Sequence, residues 1–416
     1  MSRPITGGAA ADTMKLDILE SIATVDAAEW NRVAGDEYPF LKHEFMHAAE
    51  STGCVSPQSG WTPRHVVRFD RRGNLTAAMP LYEKSHSWGE FVFDWSWAQA
   101  YHRAGVHYYP KLVSAAPFTP APSPRLLLSD PHDRDGAMGL VEAAVDLARS
   151  SGCSSVHVLF PLQRELTLLH DAGMKLRQDC QFHWHNRKYR SFDDFLATFS
   201  SAKRKKARRD RRRVQEQGIE FRWLKGEDID RTIWKDVYEM ISTTFLSRGS
   251  MPYYDLDFFV TVARMLPDKI LVILAERNRH PVAAAVFYEG RDTLYGRYWG
   301  SESHYDALHF ETCYYQGIEY CIANGIGKFE PGTQGEHKIS RGFVPVNTWS
   351  AHWLARPEFF SAVGEYLEDE QRHVQRYMQA VATHSPYREE AFERDRAAFG
   401  DDVGRTGNDN PVQPSK

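Results

Sequence analysis

Long apolar runs are missing from this 416-residue chain: no stretch of 18 apolar residues occurs, and residues 1–24 carry Arg3, Asp12, Lys15, Asp17 and Glu20 without a signal-type apolar core. A membrane span and a secretory leader are not expected, and a cytoplasmic location is. Cysteine is scarce as well. The five present, Cys54, Cys153, Cys180, Cys313 and Cys321, are odd in number, scattered and without a CxxC, which argues against a disulfide framework and a zinc ribbon. No Walker loop and no dinucleotide fingerprint appears, so activation of any substrate is expected to happen elsewhere, and no tightly bound cofactor is expected. His183 and His185 share one side of a probable strand but lack a third ligand at sensible spacing, so no metal site is expected.

What is present fits an ordinary globular protein with room for two or three domains at roughly 100–200 residues each. Hydrophobic residues make up 42% of the chain and aromatic residues 13%, a surplus that suggests grooves as well as cores. Net charge is −4, but segment 203–213, KRKKARRDRRR, holds nine bases and one acid, a local +8 that leaves −12 elsewhere. Ser200-Ser201 can cap this segment as a helix. It reads either as a solvated connector or as a phosphate-contacting face formed by Lys203, Arg204, Lys205, Lys206, Arg208, Arg209 and Arg212.

Shifting the chain by 206 residues lays 65–82, HVVRFDRRGNLTAAMPLY, over 271–288, LVILAERNRHPVAAAVFY, without a gap, and each copy reads as a hairpin. A third, aromatic-rich strand is expected after each, at 91–98 (FVFDWSWA) and 293–301. Residues 124–128, 136–152 and 154–160 then read as strand, helix and strand, and 307–324 as an amphipathic helix ended by Gly325 before a short strand at 327–332. Antiparallel strands giving way to strand–helix–strand predict an α/β fold, and 357–380 predicts a final helix after Pro357. Residues 400–416 are too polar to fold.

Several blocks are more specific: 335–353 (GEHKISRGFVPVNTWSAHW), 84–105, YYPKL (108–112), FTP (118–120), FHWHNR (182–187) and LYGRYWG (294–300). Together they resemble the FemAB-like predicted N-acyltransferases, described as peptidoglycan biosynthesis or recognition proteins, over about residues 38–380. The resemblance implies an α/β (α+β) fold of two GNAT-like domains in tandem, with the basic helix between or within them. It divides the chain into 14–180, a second domain with the catalytic segment at 181–356, a helix within 357–399 and a tail at 400–416. Related enzymes add amino acids from aminoacyl-tRNA to cell-wall precursors, and Lys338 matches by resemblance their oxyanion-stabilising lysine.

Amide formation needs a neutral amine, an acceptor for its proton and a cation facing the tetrahedral oxyanion. Segment 335–343 supplies these types: His337 or Glu336 for the proton, Lys338 or Arg341 for the charge. Its other reading is a charged loop bracing the last strands. Lys84, His86, Tyr101, Tyr109 and Lys111 suggest a polar, aromatic wall for a small-molecule or peptide amine. Asp94 either lines a cleft or pairs with a cation, while Arg297, Tyr298, Trp299, His309 and Glu311 are further substrate-contact candidates. GNAT domains that bind coenzyme A present a Gly-rich Arg/Gln-x-x-Gly-x-Gly/Ala turn, and neither 299–310 nor 104–125 has one. That favours an aminoacyl-tRNA donor over acyl-CoA. A non-catalytic binder of wall precursors or RNA stays open as an alternative.

Overall fold

The computed structural model describes residues 15–333 and 335–389, so the polar segment 400–416 lies outside the described residues. The first half supplies eight strands: β1 Lys15–Leu19, β2 Trp61–Pro63, β3 His65–Phe69, β4 Leu75–Met79, β5 Tyr82–Lys84, β6 Lys111–Ser114, β7 Leu127–Leu128 and β8 Ser155–Leu159. A long strand, β9 Lys175–His185, follows. The second half adds β10 Ile219–Lys225, β11 Ile270–Arg277, β12 His280–Glu289, β13 Thr293–Ser301, β14 Lys328–Glu330 and β15 Val344–Leu354.

Eleven strands form one sheet in the order β10-β11-β12-β13-β14-β9-β15-β8-β6-β5-β2, and β1-β3-β4-β7 form a second sheet. The order is nearly symmetric about the central pair. On one side β14 lies parallel to β13 and antiparallel to β9; on the other β8 lies parallel to β6 and antiparallel to β15. Each half therefore gives its last strand to the other. The exchange is sealed by nine antiparallel pairs between β9 and β15, from Val344 opposite His183 to His352 opposite Lys175. Position 180/181, where the sequence suggested a division, falls inside β9, whose far end pairs with β14.

Both repeated segments are antiparallel hairpins with a bulge near the turn, between Arg68 and Phe69 and between Ala275 and Glu276. Their registers differ by one residue, since Val66 faces Met79 whereas Val272 faces Val286 rather than Ala285. The expected third strand at 91–98 is wrong. Phe91 has a φ of 60°, which breaks the extended chain, and Asp94 precedes the helix Trp95–Arg103. Period-2 alternation in FVFDWSW hid a helical spacing, Trp97 to Tyr101, that buries both rings against the helix Pro357–Ala382 and its neighbours. The counterpart at 293–301 is a strand, and Gly300 within it lets the helix Arg231–Leu246 pack directly on the sheet: a Cβ there would lie 2.1 Å from the Met240 backbone.

The basic segment forms the helix Ser201–Glu216, with Ala207, Asp210 and Val214 as its buried stripe at helical spacing. Its remaining cations project outward or sideways to partners on the second half. One apolar core, which includes Trp30, Trp61, Trp234 and Tyr254, runs through both halves, and a separate core lies under β9 around Trp184 and Phe329.

Candidate active site in the second half

The parallel pairing of β13 with β14 stops after Tyr295 and Glu330. At that point β13 bulges, because Val286 faces Tyr298 and Phe287 faces Gly296, which leaves Arg297 as the extra, unpaired residue. A bulge re-aims its side chain and bends the strand away from its neighbour. The opening holds a cavity of about 390 Å³. Four predicted residues, Arg297, Tyr298, Trp299 and His309, line it, together with Arg248, Tyr253, Cys313 and Tyr314, which the sequence reading had not singled out.

Arg297 is almost wholly buried. Its Nη2 donates to Glu330 Oε1 at 2.9 Å, and its Nη1 donates to the Gly296 and Glu330 carbonyls at 2.9 and 3.3 Å. Glu330 is fully buried, with His183 Nε2 3.8 Å from its carboxylate. Behind this wall lies Lys338, whose ammonium donates to the Gly332 carbonyl at 2.7 Å. Burial and the nearby Arg297 charge hold Lys338 down at about 7, far from its ordinary value of 10.5. Such a lysine is shared between charged and neutral forms near neutral pH.

His337 neighbours Lys338 on the 3-10 helix Glu336–Arg341, and its Nε2 lies 2.8 Å from the Tyr314 hydroxyl in the cavity wall. Gly335, with φ 121°, makes that possible, because a Cβ there would sit 2.4 Å from the His337 ring. Burial, with His337 and Arg341 close by, keeps His309 low, at about 4, and burial and the Arg341 charge lower His337. At neutral pH the His309 ring is neutral. Arg341 does not reach the cavity wall: it stacks 3.4 Å over the Phe310 ring and donates to the His337 carbonyl at 2.5 Å. Glu336 turns outward to the Tyr377 hydroxyl at 3.0 Å. Glu311 faces the basic helix, where its carboxylate accepts from Arg211 Nε at 3.1 and 3.2 Å and from Gln316 at 2.8 Å.

The first-half candidates meet one another in a different place. Lys111, fully buried, donates to Ser87 at 2.8 Å, to Glu90 at 2.7 Å and to Asp94, whose carboxylate also accepts from Tyr108 at 2.6 Å. Burial raises the Asp94 carboxyl, but Lys111 outweighs it and holds the group at about 2, whereas burial prevails at Glu90 and lifts it to about 7. Tyr109 bonds Ser87 at 2.8 Å, and Tyr101 stacks on Phe359 at 3.9 Å. Lys84 lies 3.8 Å over the Trp61 ring and donates to the Trp88 carbonyl at 3.2 Å; burial lowers it to about 7. His86 Nδ1 accepts from Trp88 N at 3.2 Å. These residues brace the segment 85–94 from within; Lys84, Asp94, Tyr101 and Lys111 do not form a wall open to solvent.

On the basic helix, Lys205, Lys206, Arg208, Arg209 and Arg212 line an open cleft of about 450 Å³, with Lys203 and Arg204 one turn earlier and half-buried. Arg211 is committed inward to Glu311 and Glu319. Among the described residues no group of three or more His, Cys, Asp or Glu side chains could hold a metal ion, and no helix is long and apolar enough to cross a membrane.

A family model for FemAB-like proteins, described as peptidoglycan biosynthesis/recognition, matches residues 21–389. The chain belongs to the FemAB-like family. This FemAB-like chain is also similar in structure to a DUF2156 domain from Agrobacterium fabrum, described as the C-terminal domain of a lysylphosphatidylglycerol synthetase: 10% identity, 83% of this chain and 97% of that one covered, TM-score 0.52. FemX gives 11% identity, 74% and 92% coverage and a TM-score of 0.49. A tandem GNAT protein from the clavulanic acid biosynthesis pathway gives 9%, 83% and 99%, and 0.45. The mixed α/β fold, built from two halves of similar strand order, is of the class expected, and it is shared with the DUF2156 domain. No curated protein sequence matches the chain.

Proposed function

We propose that this FemAB-like protein is an N-acyltransferase that joins an activated aminoacyl group to the amine of a cell-wall precursor or a chemically similar metabolite. The observation that carries the reading is the cavity opened by the Arg297 bulge, with aromatic walls and Lys338 buried directly behind. In the reaction the amine nitrogen attacks the ester carbonyl carbon, and the carbonyl oxygen becomes an oxyanion. Lys338, charged, with Arg297 beside it, stabilises that oxyanion. Tyr314 takes the proton shed by the amine as its own hydroxyl proton passes to His337, whose ring is exposed and returns it to water. Collapse of the intermediate breaks the ester C–O bond, and the departing ribose oxygen takes a proton from water to leave as the alcohol.

Support for aminoacyl-tRNA as donor comes from the cation-lined cleft on the helix Ser201–Glu216 and from the lack of a Gly-rich pyrophosphate turn between β13 and the following helix. The test is incubation with purified precursor and either charged tRNA or acyl-CoA, scored by the mass of a new amide product, at 50 to 300 mM salt. With tRNA as donor, replacing Lys205, Arg208, Arg209 and Arg212 by Gln weakens use of charged tRNA several-hundred-fold and flattens its salt dependence, each lost phosphate contact removing roughly 0.7–0.9 from the log–log slope. A flat salt response in the unmutated protein contradicts the tRNA donor. Product from acyl-CoA alone, with a shallow slope, reassigns the donor.

A further inference from the structure

We propose that the aromatic rim where the two halves meet, beside the second-half cavity, is a docking surface for a lipid bilayer carrying anionic headgroups. Nine large apolar side chains are exposed among the described residues, and five of them stand on two short segments. Trp88, Phe93 and Trp95 belong to the first half and Leu246 and Met251 to the second, each between 46% and 67% exposed. The segments touch through Tyr253, whose ring lies 6.4 Å from Trp88 and 5.7 Å from Phe91 and stacks 5.0 Å from Phe118. Tyr253 also lines the cavity, with Phe245, Arg248 and Ser250 of the same segment. Single exposed apolar side chains are ordinary on a surface, but a group of this size at the mouth of a cavity marks a contact site.

The first-half rings are held outward from beneath. Lys111 bonds Ser87, Glu90 and Asp94, Lys84 donates to the Trp88 carbonyl at 3.2 Å, and Arg177 Nη1 donates to the Phe93 carbonyl at 2.8 Å. Asp94 is buried, while Phe93 and Trp95 on either side of it are exposed. Gly89 lets the segment close on Phe118, since a Cβ there would lie 2.4 Å from that ring. The segment is therefore fixed before any partner arrives, and covering its rings costs little further ordering.

Charge selects the occupant. Between Ser85 and His107 the only acids are Glu90 and Asp94, both buried on Lys111, and, histidines aside, the exposed charge is Arg103. From Met240 to Tyr254 the only charged residue is Arg248, which is also exposed. Glu370, which reaches the Phe93 carbonyl's side through Arg177, is held by two of that arginine's nitrogens, at 2.7 Å each. The two segments thus present tryptophan, phenylalanine, leucine and methionine with two arginines and no exposed carboxylate. A second copy of the chain docked on the same patch would set these arginines against each other without an acid between them. A bilayer surface suits both features, because its headgroup layer accommodates tryptophan rings with their polar edge and its anionic lipids attract the arginines. Docked in this way, the cavity mouth opens at the headgroup layer.

The inference stands apart from the acyl-transfer reading, because vesicle binding needs neither donor nor acceptor. The test is flotation of the full chain with vesicles of phosphatidylcholine alone or of equal parts phosphatidylcholine and phosphatidylglycerol. Binding to the mixed vesicles that is about tenfold or more tighter than to phosphatidylcholine alone supports the proposal. So does a loss of about tenfold or more in a Phe93→Ser/Trp95→Ser/Met251→Ser variant of unchanged melting temperature. Trp88→Phe/Trp95→Phe keeps the apolar rings, so its affinity should stay within about threefold, while quenching of tryptophan fluorescence by lipids brominated on their acyl chains should fall at least about twofold. No vesicle binding, equal binding to the two vesicles, full affinity in the triple variant, or unreduced quenching in the double variant overturns it. Binding that disappears only when Lys205, Arg208, Arg209 and Arg212 are replaced by Gln also overturns it, since the lipid contact then lies on the basic helix. A dimer that the triple substitution dissolves, with no effect on vesicle binding, overturns it by making the occupant a second copy.

Discussion

Two parallel strand pairs end differently in the two halves of the molecule. In the second half β13 leaves β14 after Tyr295, bulges at Arg297, and the gap is a cavity of about 390 Å³. In the first half β6 leaves β8 after Ser114, and the next β8 carbonyl, Leu159, is taken at 2.6 Å by Nε of Arg125. Arg125 is fully buried, donates also to Ser123 at 2.7 Å and Ala121 at 3.1 Å, and burial lowers it to about 10. The same architectural gap is filled by the chain in one half and left open in the other. Two buried lysines follow the same division. Lys84 and Lys338 are each held at about 7, but Lys84 is packed over Trp61 while Lys338 backs onto the open cavity. Shared strand order does not make two halves functionally equal; what occupies the gap between the parallel strands decides.

The largest effect that tests this contrast lies in the first half and concerns folding. Lys111→Met leaves Glu90 and Asp94 buried without their cation, so unfolding free energy should fall by about 3–5 kcal/mol, while turnover per folded molecule stays near that of the unmutated protein. Denaturant melts and active-site-normalised rates check it. A stable variant with lost turnover would place catalysis in the wrong half.

A smaller effect, tenfold per pH unit, sharpens the second half. In the proposed reaction it is the charged form of Lys338 that faces the oxyanion, so turnover should decline as pH rises through about 7. Stability moves the other way. A lysine held below its ordinary value of 10.5 penalises the folded state fully when protonated, below about 7, and the penalty fades between about 7 and 10.5, so the alkaline loss of activity is not unfolding. In Lys338→Arg, which stays charged, the decline should disappear from this range; its persistence would assign it to another group.

How much of this was legible in the sequence depends on whether the information is local. Hairpins, the helix that closes at Gly325 and the terminal helix are periodic or capped, and they fold as read. The segment 335–343 was found by resemblance, which also marked Lys338. The bulge was not visible, because inserting Arg297 changes the pairing of Tyr298 with Val286 without changing the alternation of residue types that marks a strand. Tyr314 was hidden by the π turn Glu311–Tyr315, which adds a residue to the helical phase and buries Tyr314 and Tyr315 together. Glu330 is not marked out within the short strand 327–332, because its partner Arg297 is 33 residues away. The same distance problem misplaced Lys111, which read as part of a substrate wall and pairs in the core with Asp94, for which a cation partner is one of the two readings the sequence allows. Residues 91–98 failed for a different reason, since a period-2 run of aromatics also fits a helix that buries every fourth ring.

The central claim, that the second-half cavity carries the transfer and the first half only supports it, is tested most directly by matched lysine substitutions. Lys338→Met and Lys84→Met are compared for amide product formed from the same donor and acceptor, with melting curves to count folded protein. The account predicts a loss of about 10²–10³-fold, near 3–4 kcal/mol of transition-state stabilisation, for Lys338→Met, and turnover within about threefold for Lys84→Met. Equal losses in both, or a loss confined to Lys84→Met, would contradict it.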